Sequence, residues 1–282
     1  MPATTLMLHP AAERALRLAA GHDSAGAETM RRILDEVVDD WDRPSDLARS
    51  GFPLELAFTS ADASSLRFTI QSASLVASFD ALAPRALPAE VRALAAVSTG
   101  GWLGVRVRGS HVDAKLYLQT SDRRWLALAG CAEPPVAARL AMAAYDAKSG
   151  RIELYFCPSA LGVTGVHALF GDAAGDVLDL LGAAVGRPVR GRLPSDDAGF
   201  SIVAAPSRMT LYGFAGSLFG GDARCREALL RLAASRGWSF PLYAALTEPL
   251  QSARGAARHH TMFGVTAAAG EPAAIAFGVT PP

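Results

Sequence analysis

Cysteine is scarce in this chain and poorly spaced for chemistry. Cys131, Cys157 and Cys225 are the only three in 282 residues. They make an odd number, with no CxxC and no Cys/His pair at zinc spacing, so neither a disulfide framework nor a protein-held metal is predicted. Free thiols suit a reducing compartment, and a cytoplasmic location is the expectation. Long apolar runs are missing too. None approaches the roughly 20 residues a helical membrane span needs, and MPATTLMLHPAAERALRLAA is interrupted by Glu13, Arg14 and Arg17, unlike a signal peptide. Charge of one sign is not in excess either, with 27 Lys+Arg against 27 Asp+Glu. No global field therefore favours nucleic acid or an anionic membrane, and any anion site must be a local cluster.

What the chain does have is apolar residues, half of the total, enough for a large core. The expectation is one domain over 1–282, with residues 1–50 forming helices that pack outside it. AAERALRLAAGH and AETMRRILDEVVDDWD carry apolar residues at three- and four-residue spacing, the helical period. Thereafter two-strand units recur. LELAFT and SLRFTIQSA flank SADAS; WLGVRVR and AKLYLQT flank GSHVD; AAYD and RIELYFC flank AKSG. FSIVAAP and RMTLYGF flank a turn around Ser207, and HHTMFGVTA and AAIAFGV flank AAGEP. Helical stretches lie between these units: LPAEVRALAAV, a short PPVAARLAM, residues 161–186, and ARCREALLRLAASRG. Hairpins alternating with helices predict an α+β fold: a mainly antiparallel sheet covered by helices on one face. Five hairpins closed into a ten-stranded antiparallel barrel would leave no exposed edge. Such a barrel would also enclose a lumen, since about eight strands are already filled by side chains.

One pattern repeats on these strands: Lys115-Leu116-Tyr117, Glu153-Leu154-Tyr155 and Thr210-Leu211-Tyr212. Strand alternation sends the leucines to the helix side and the polar residue and tyrosine to the lumen. By the same parity Lys115, Tyr117 and Gln119 line the lumen on one strand. Arg151, Glu153, Tyr155 and Cys157 line it on a second, and Thr210, Tyr212 and Phe214 on a third. Arg67 shares a face with Thr69. Cations in a low-dielectric chamber bind a concentrated anion such as diphosphate, and aromatic rings beside them shield a carbocation from water.

These residues resemble the ABBA-type prenyltransferases, in particular the dimethylallyltryptophan synthase and cyanobactin peptide prenyltransferase branches. The resemblance rests on Phe52-Pro53-Leu54-Glu55-Leu56, Leu66-Arg67-Phe68, Lys115-Leu116-Tyr117 and Arg151-Ile152-Glu153-Leu154-Tyr155, in that order along the chain. It implies a ten-stranded barrel ringed by helices. It also implies transfer of a dimethylallyl or geranyl group from its diphosphate to an indole, a phenol or a peptide side chain. Glu55 would then serve as the base, Arg67, Lys115 and Arg151 would hold diphosphate, and Tyr117, Tyr155, Tyr212 and Phe214 would shield the cation. Glu153, Gln119 and Thr210 would line the rest of the lumen. Glu153 stands where the indole branch carries a phosphate-binding lysine. No cofactor is required by the resemblance, although Glu153 leaves room for a magnesium ion accompanying the diphosphate. A monomer or weak dimer is expected.

Two other readings stay open: a non-catalytic barrel that carries an apolar ligand, and a helix-covered sheet that uses its tyrosines as core. Other motifs are read as structural. His259 and His260 are adjacent, so they point to opposite faces of a strand and are poor joint ligands. GSLFGGD lacks the Lys-Ser/Thr of a phosphate loop and is read as a turn. Arg106 and Arg108 are assigned to an exposed strand face, although Arg106 could reach the lumen, and Asp39, Asp40 and Asp42 to a solvated helix end.

Overall fold

The computed structural model describes residues 7–194, 197–204 and 208–282. The turn expected around Ser207 lies outside the described residues. Two helices come first, α1 (Pro10–Ala20) and α2 (Ser24–Val37). Pro10 supplies a pre-set φ at the first position of α1. Asp23 caps α2 by accepting the N–H of Gly26 at 2.9 Å. The aspartates at 39 and 40 follow the end of α2 and are exposed, and Arg43 pairs with Asp39.

Among the described residues ten strands follow. They are β1 (Leu54–Thr59), β2 (Leu66–Ile70), β3 (Gly100–Arg108), β4 (His111–Gln119), β5 (Ala138–Asp146), β6 (Arg151–Pro158), β7 (Gly199–Val203), β8 (Arg208–Phe214), β9 (His260–Ala268) and β10 (Ala274–Val279). Each pairs antiparallel with its chain neighbours, and β1 pairs with β10 to close the barrel. The registers Arg108↔His111, Asp146↔Arg151 and Val203↔Arg208 put the hairpin connections at one end. Helices make the return connections at the other: α3 (Leu75–Leu82), α4 (Ala89–Ala95), α5 (Arg124–Ala129), α6 (Val163–Phe170), α7 (Ala174–Val185), α8 (Ala215–Phe219), α9 (Asp222–Arg236) and α10 (Pro241–Leu246). None of the described helices is long and apolar enough to cross a membrane.

The core is the layer between barrel wall and helices. Leu54, Leu56, Phe68, Leu103, Leu116, Leu118, Leu154 and Phe156 are buried there with Phe79 of α3, Trp125 of α5 and Leu229 and Leu232 of α9. At about 25 cal/mol for each Å² of apolar surface removed from water, this layer is the main stabilising contribution.

Two local expectations are corrected and one is refined. PPVAARLAM does not form a helix; β5 starts at Ala138 and pairs with β6 from Pro158 onward. The ladder and the burial of Leu140, Ala143 and Tyr145 outweigh the helix preference of Ala, Arg, Leu and Met. The helical stretch over residues 161–186 consists of two helices, α6 and α7. Gly171 takes φ +54° and starts a single 3₁₀ turn, Gly171–Ala173, between α6 and α7. GSLF is a short helix, α8, and not a turn.

Candidate active site

Directly opposed residues of an antiparallel pair share a face, so the registers trace the inner wall. Trp102, Tyr117, Ala144, Glu153 and Val203 are successive cross-strand partners around one side of the barrel. One step along, Gln119, Met142, Tyr155, Ser201, Thr210 and Thr266 form the next row. Glycine makes room for the large members. A Cβ on Gly104 would stand 2.7 Å from the Tyr117 ring, and one on Gly199 would stand 2.5 Å from the Tyr212 ring. The three tyrosines form a continuous run, with centroid separations of 6.1 Å for Tyr117–Tyr155 and 6.0 Å for Tyr155–Tyr212. The Tyr212 hydroxyl donates to the Phe156 carbonyl at 3.2 Å.

Lys115, midway along β4, lies over this run, with Nζ 5.0 Å from the Tyr117 centroid and 6.0 Å from that of Tyr155. Its ammonium is ion-paired with Glu153 Oε2, while Ser201 Oγ donates to Glu153 Oε1 at 2.5 Å. Burial disfavours both charges, but their mutual attraction outweighs it. Lys115 is held above the ordinary lysine range, and Glu153 below the ordinary carboxylate range. Burial, followed by the Glu153 charge, pushes the Tyr155 phenol well up, so it stays a neutral donor.

Of the other expected diphosphate ligands, Arg67 is paired with a carboxylate and Arg151 stands on the rim. Arg67 faces Arg106 across β2 and β3, and its guanidinium turns to Asp62 at 2.9 Å and Ser65 at 3.1 Å. Burial lowers its pKa, and Asp62 opposes that shift. Asp62 also takes Arg108. Burial works against its charge, but hydrogen bonds from Arg108, Ser65, Arg67 and Ser64 hold it well below the usual range. Of the two readings of Arg106 the inward one holds: it lies in the same register as Arg67 and binds Asp113 at 2.5 Å. Arg151 is exposed on the hairpin rim as the first residue of β6. Phe214, last in β8 and half exposed at 50%, stands at the opposite end and lines no enclosed wall. The register explains both corrections: inward parity is kept, but these positions fall where the wall ends. Gln119 donates to Asp46 at 3.0 Å, as does Trp102 at 3.2 Å. Thr210 pairs with Thr266 at 2.9 Å.

Glu55 is inward on β1, opposite Thr69. Its carboxyl crosses the face of Gly278, where a Cβ would stand 2.4 Å from Glu55 Cδ and 2.3 Å from Thr261 Oγ. The side chain faces inward and is half-buried. Burial pushes its pKa up to about 7, and the Thr261 hydroxyl draws it part of the way back. At that value it takes and gives a proton near neutrality.

His259 and His260 part as expected. His260 faces outward into a buried chain in which its Nδ1 meets Asp222 Oδ1 at 2.7 Å and its Nε2 meets the Tyr243 hydroxyl at 2.9 Å. Asp222 also accepts the N–H groups of Arg258 and His260, and this anchors α9 to β9. His259 is half-buried against Thr280. Among the described residues no cluster of three or more His, Cys, Asp or Glu is placed to hold a metal.

Asp62, Asp113, Ser201, Asp46 and Thr261 were not singled out in the sequence. Asp62 and Asp113 sit in or beside hairpin turns, where an aspartate is unremarkable. Ser201 and Thr261 matter only through strands 48 and more residues away.

No protein-family model and no curated protein matches the sequence. Solved structures do match over nearly the whole chain. A 6-dimethylallyl tryptophan synthase is 19% identical with a TM-score of 0.72, the match covering 99% of each chain. The prenyltransferase PriB, in ternary complex with L-tryptophan and dimethylallyl thiolodiphosphate, is 16% identical with a TM-score of 0.72, covering 96% of this chain and 95% of PriB. The 5-dimethylallyltryptophan synthase from Streptomyces coelicolor is 15% identical with a TM-score of 0.68, covering 96% and 95%. The chain has the helix-ringed ten-stranded barrel of these proteins.

Proposed function

We propose that the chain is an aromatic prenyltransferase, moving a dimethylallyl or geranyl group from its diphosphate to an indole or phenol, free or on a peptide. The observation that carries this reading is the Glu55 carboxyl. With a pKa of about 7, it opens on the same lumen as an ammonium set against Tyr117 and Tyr155. A ligand carrier needs neither a poised base nor a buried cation.

The donor's diphosphate binds at Lys115, with Arg67 and Arg106 toward the hairpin end. As the allylic C–O bond breaks, its electron pair leaves with diphosphate, and these cations stabilise the charge that develops there. The Tyr117, Tyr155 and Tyr212 faces attract the allyl cation and keep water from it. The acceptor's π electrons form the new bond to the allyl carbon, and the proton lost from that acceptor atom passes to Glu55. Glu153 does not offer magnesium a free carboxylate. Both Glu153 oxygens are engaged, one by the Lys115 ammonium and one by Ser201, so a divalent ion there would meet a cation at contact.

The test is incubation with dimethylallyl or geranyl diphosphate and a panel of indoles, phenols and tryptophan- or tyrosine-containing peptides. Acceptor-dependent diphosphate release with a product heavier by one prenyl unit is expected. Absence of binding by either donor would overturn the reading.

A further inference from the structure

We propose that Thr261 is the positioning residue of Glu55: its hydroxyl fixes the carboxyl over Gly278 in the orientation from which Glu55 meets the acceptor's proton. This rests on the function proposed above.

Strict alternation would turn Thr261 away from the lumen. Phe263 pairs with Phe277 and points outward into the core, so Met262 is inward and Thr261 would be outward. The register then shifts: His260 pairs with Val279, so Thr261 and Met262 together oppose the single residue Gly278. The extra residue is a β-bulge, a device that re-aims a side chain. Here it aims Thr261 inward, onto the same point above Gly278 that the Glu55 carboxyl reaches. Gly278 is the third part of the arrangement, because any side chain there would occupy the space the two groups share.

Packing alone does not account for a threonine. Thr261 is 6% exposed, and its hydroxyl is buried without a hydrogen-bond partner among the described residues, yet it converges with the Glu55 carboxyl on the face of Gly278. Valine would fill the volume without stranding a polar atom. A hydroxyl both donates and accepts, so it can donate to the Glu55 carboxylate before proton transfer and accept from the carboxylic acid afterwards. That keeps the group oriented through the whole cycle.

Other charges are committed elsewhere. On β2, opposite Glu55, the charged residue Arg67 is paired with Asp62. Just before β9, His259 is bonded to Thr280, and on β9 itself His260 faces outward to Asp222. β10 offers Gly278, which has no side chain. Burial and Thr261 together account for the displacement of Glu55.

The experiment is a carboxyl titration of the full chain by NMR on ¹³C-labelled glutamate, with Glu55→Gln identifying the signal. Thr261→Val is expected to move the Glu55 midpoint upward by about one pH unit, a roughly tenfold loss of the ionised form at pH 6. Thr261→Ser should restore it. Turnover of a prenyl diphosphate with an aromatic acceptor should fall in the same proportion at pH 6, converge toward wild type at pH 9, and keep its donor KM. An unchanged midpoint in folded Thr261→Val, or a loss of kcat equal at all pH values, would overturn the proposal. If Thr261→Val does not fold, the serine variant and Gly278→Ala, which puts a methyl between the two groups, decide by the same midpoint. A wild-type protein that turns over no donor while its Glu55 titration responds as stated would sink the prenyl chemistry and leave the pairing standing.

Discussion

Lys115 and Glu153, 38 residues apart in the chain, form an ion pair against the tyrosine run of the barrel. The cation that the proposed function assigns to diphosphate is therefore already neutralised, and a diphosphate donor would have to compete with a carboxylate for it. Arg67 and Arg106 are in the same position with respect to Asp62 and Asp113.

Removing that competition should tighten donor binding. Glu153→Gln keeps a hydrogen-bonding group beside Lys115 and Ser201 but deletes the negative charge. Calorimetric titration with inorganic diphosphate or geranyl diphosphate should give about tenfold tighter binding, the scale of one charge-assisted hydrogen bond. Equal or weaker binding would place the diphosphate away from Lys115.

Glu55→Gln should lower turnover by roughly 10²- to 10⁴-fold, as expected for loss of a general base. It should also raise stability at pH 8. The folded pKa of Glu55, about 7, lies above its ordinary value of 4.5, so between these values the native state binds more protons than the unfolded one. Stability therefore falls as pH rises through this window, by an amount on the order of 3 kcal/mol. Melting curves of both proteins should coincide at pH 4 and separate by pH 8, with the variant the more stable.

Gly199→Ala tests whether the space around the tyrosine run is needed. Its methyl would meet Cε2, Cζ and Oη of Tyr212 at 2.5 to 2.6 Å, so the ring must shift. Overpacking of this kind costs about 1–3 kcal/mol. The double variant Gly199→Ala/Tyr212→Ala should lose less than the two single changes together, measured by denaturant unfolding.

Asp222→Asn addresses the helix layer instead of the lumen. Burial works against the Asp222 charge, but hydrogen bonds from His260 and two backbone N–H groups hold its pKa well below the ordinary range. Its contribution is fully present above the unfolded-state pKa and is lost as pH falls through the acid range. The variant should unfold about 3 kcal/mol more easily at pH 7, with a shallower loss of stability on acidification. Diphosphate binding should stay within twofold of wild type, because the Asp222, His260 and Tyr243 chain lies outside the barrel.

The strand pattern around Lys115-Leu116-Tyr117 was legible because a period of two needs only local geometry. The inward placement of Lys115, Tyr117, Glu153, Tyr155 and Tyr212 followed from it. Parity did not tell where each wall position ends, so Arg151 and Phe214 were expected in the chamber although one stands on the hairpin rim and the other at the opposite mouth. The helix expected from PPVAARLAM failed for a related reason: local preference carries no knowledge of the β6 ladder waiting for that segment.

The sequence by itself determined which residues alternate, how many hairpins there are, and hence which side chains face inward wherever the strand is regular, because those depend on neighbours one or two positions away. Only the tertiary structure decided which charges meet. The pairings of Lys115 with Glu153 and of Arg106 with Asp113, and the meeting of Glu55 with Thr261 over Gly278, arise from barrel register. A one-residue bulge changes that register without leaving a periodic signal. Charge interaction falls off over a few ångströms, so the chemistry of the chamber depends on distances that only the closed barrel sets.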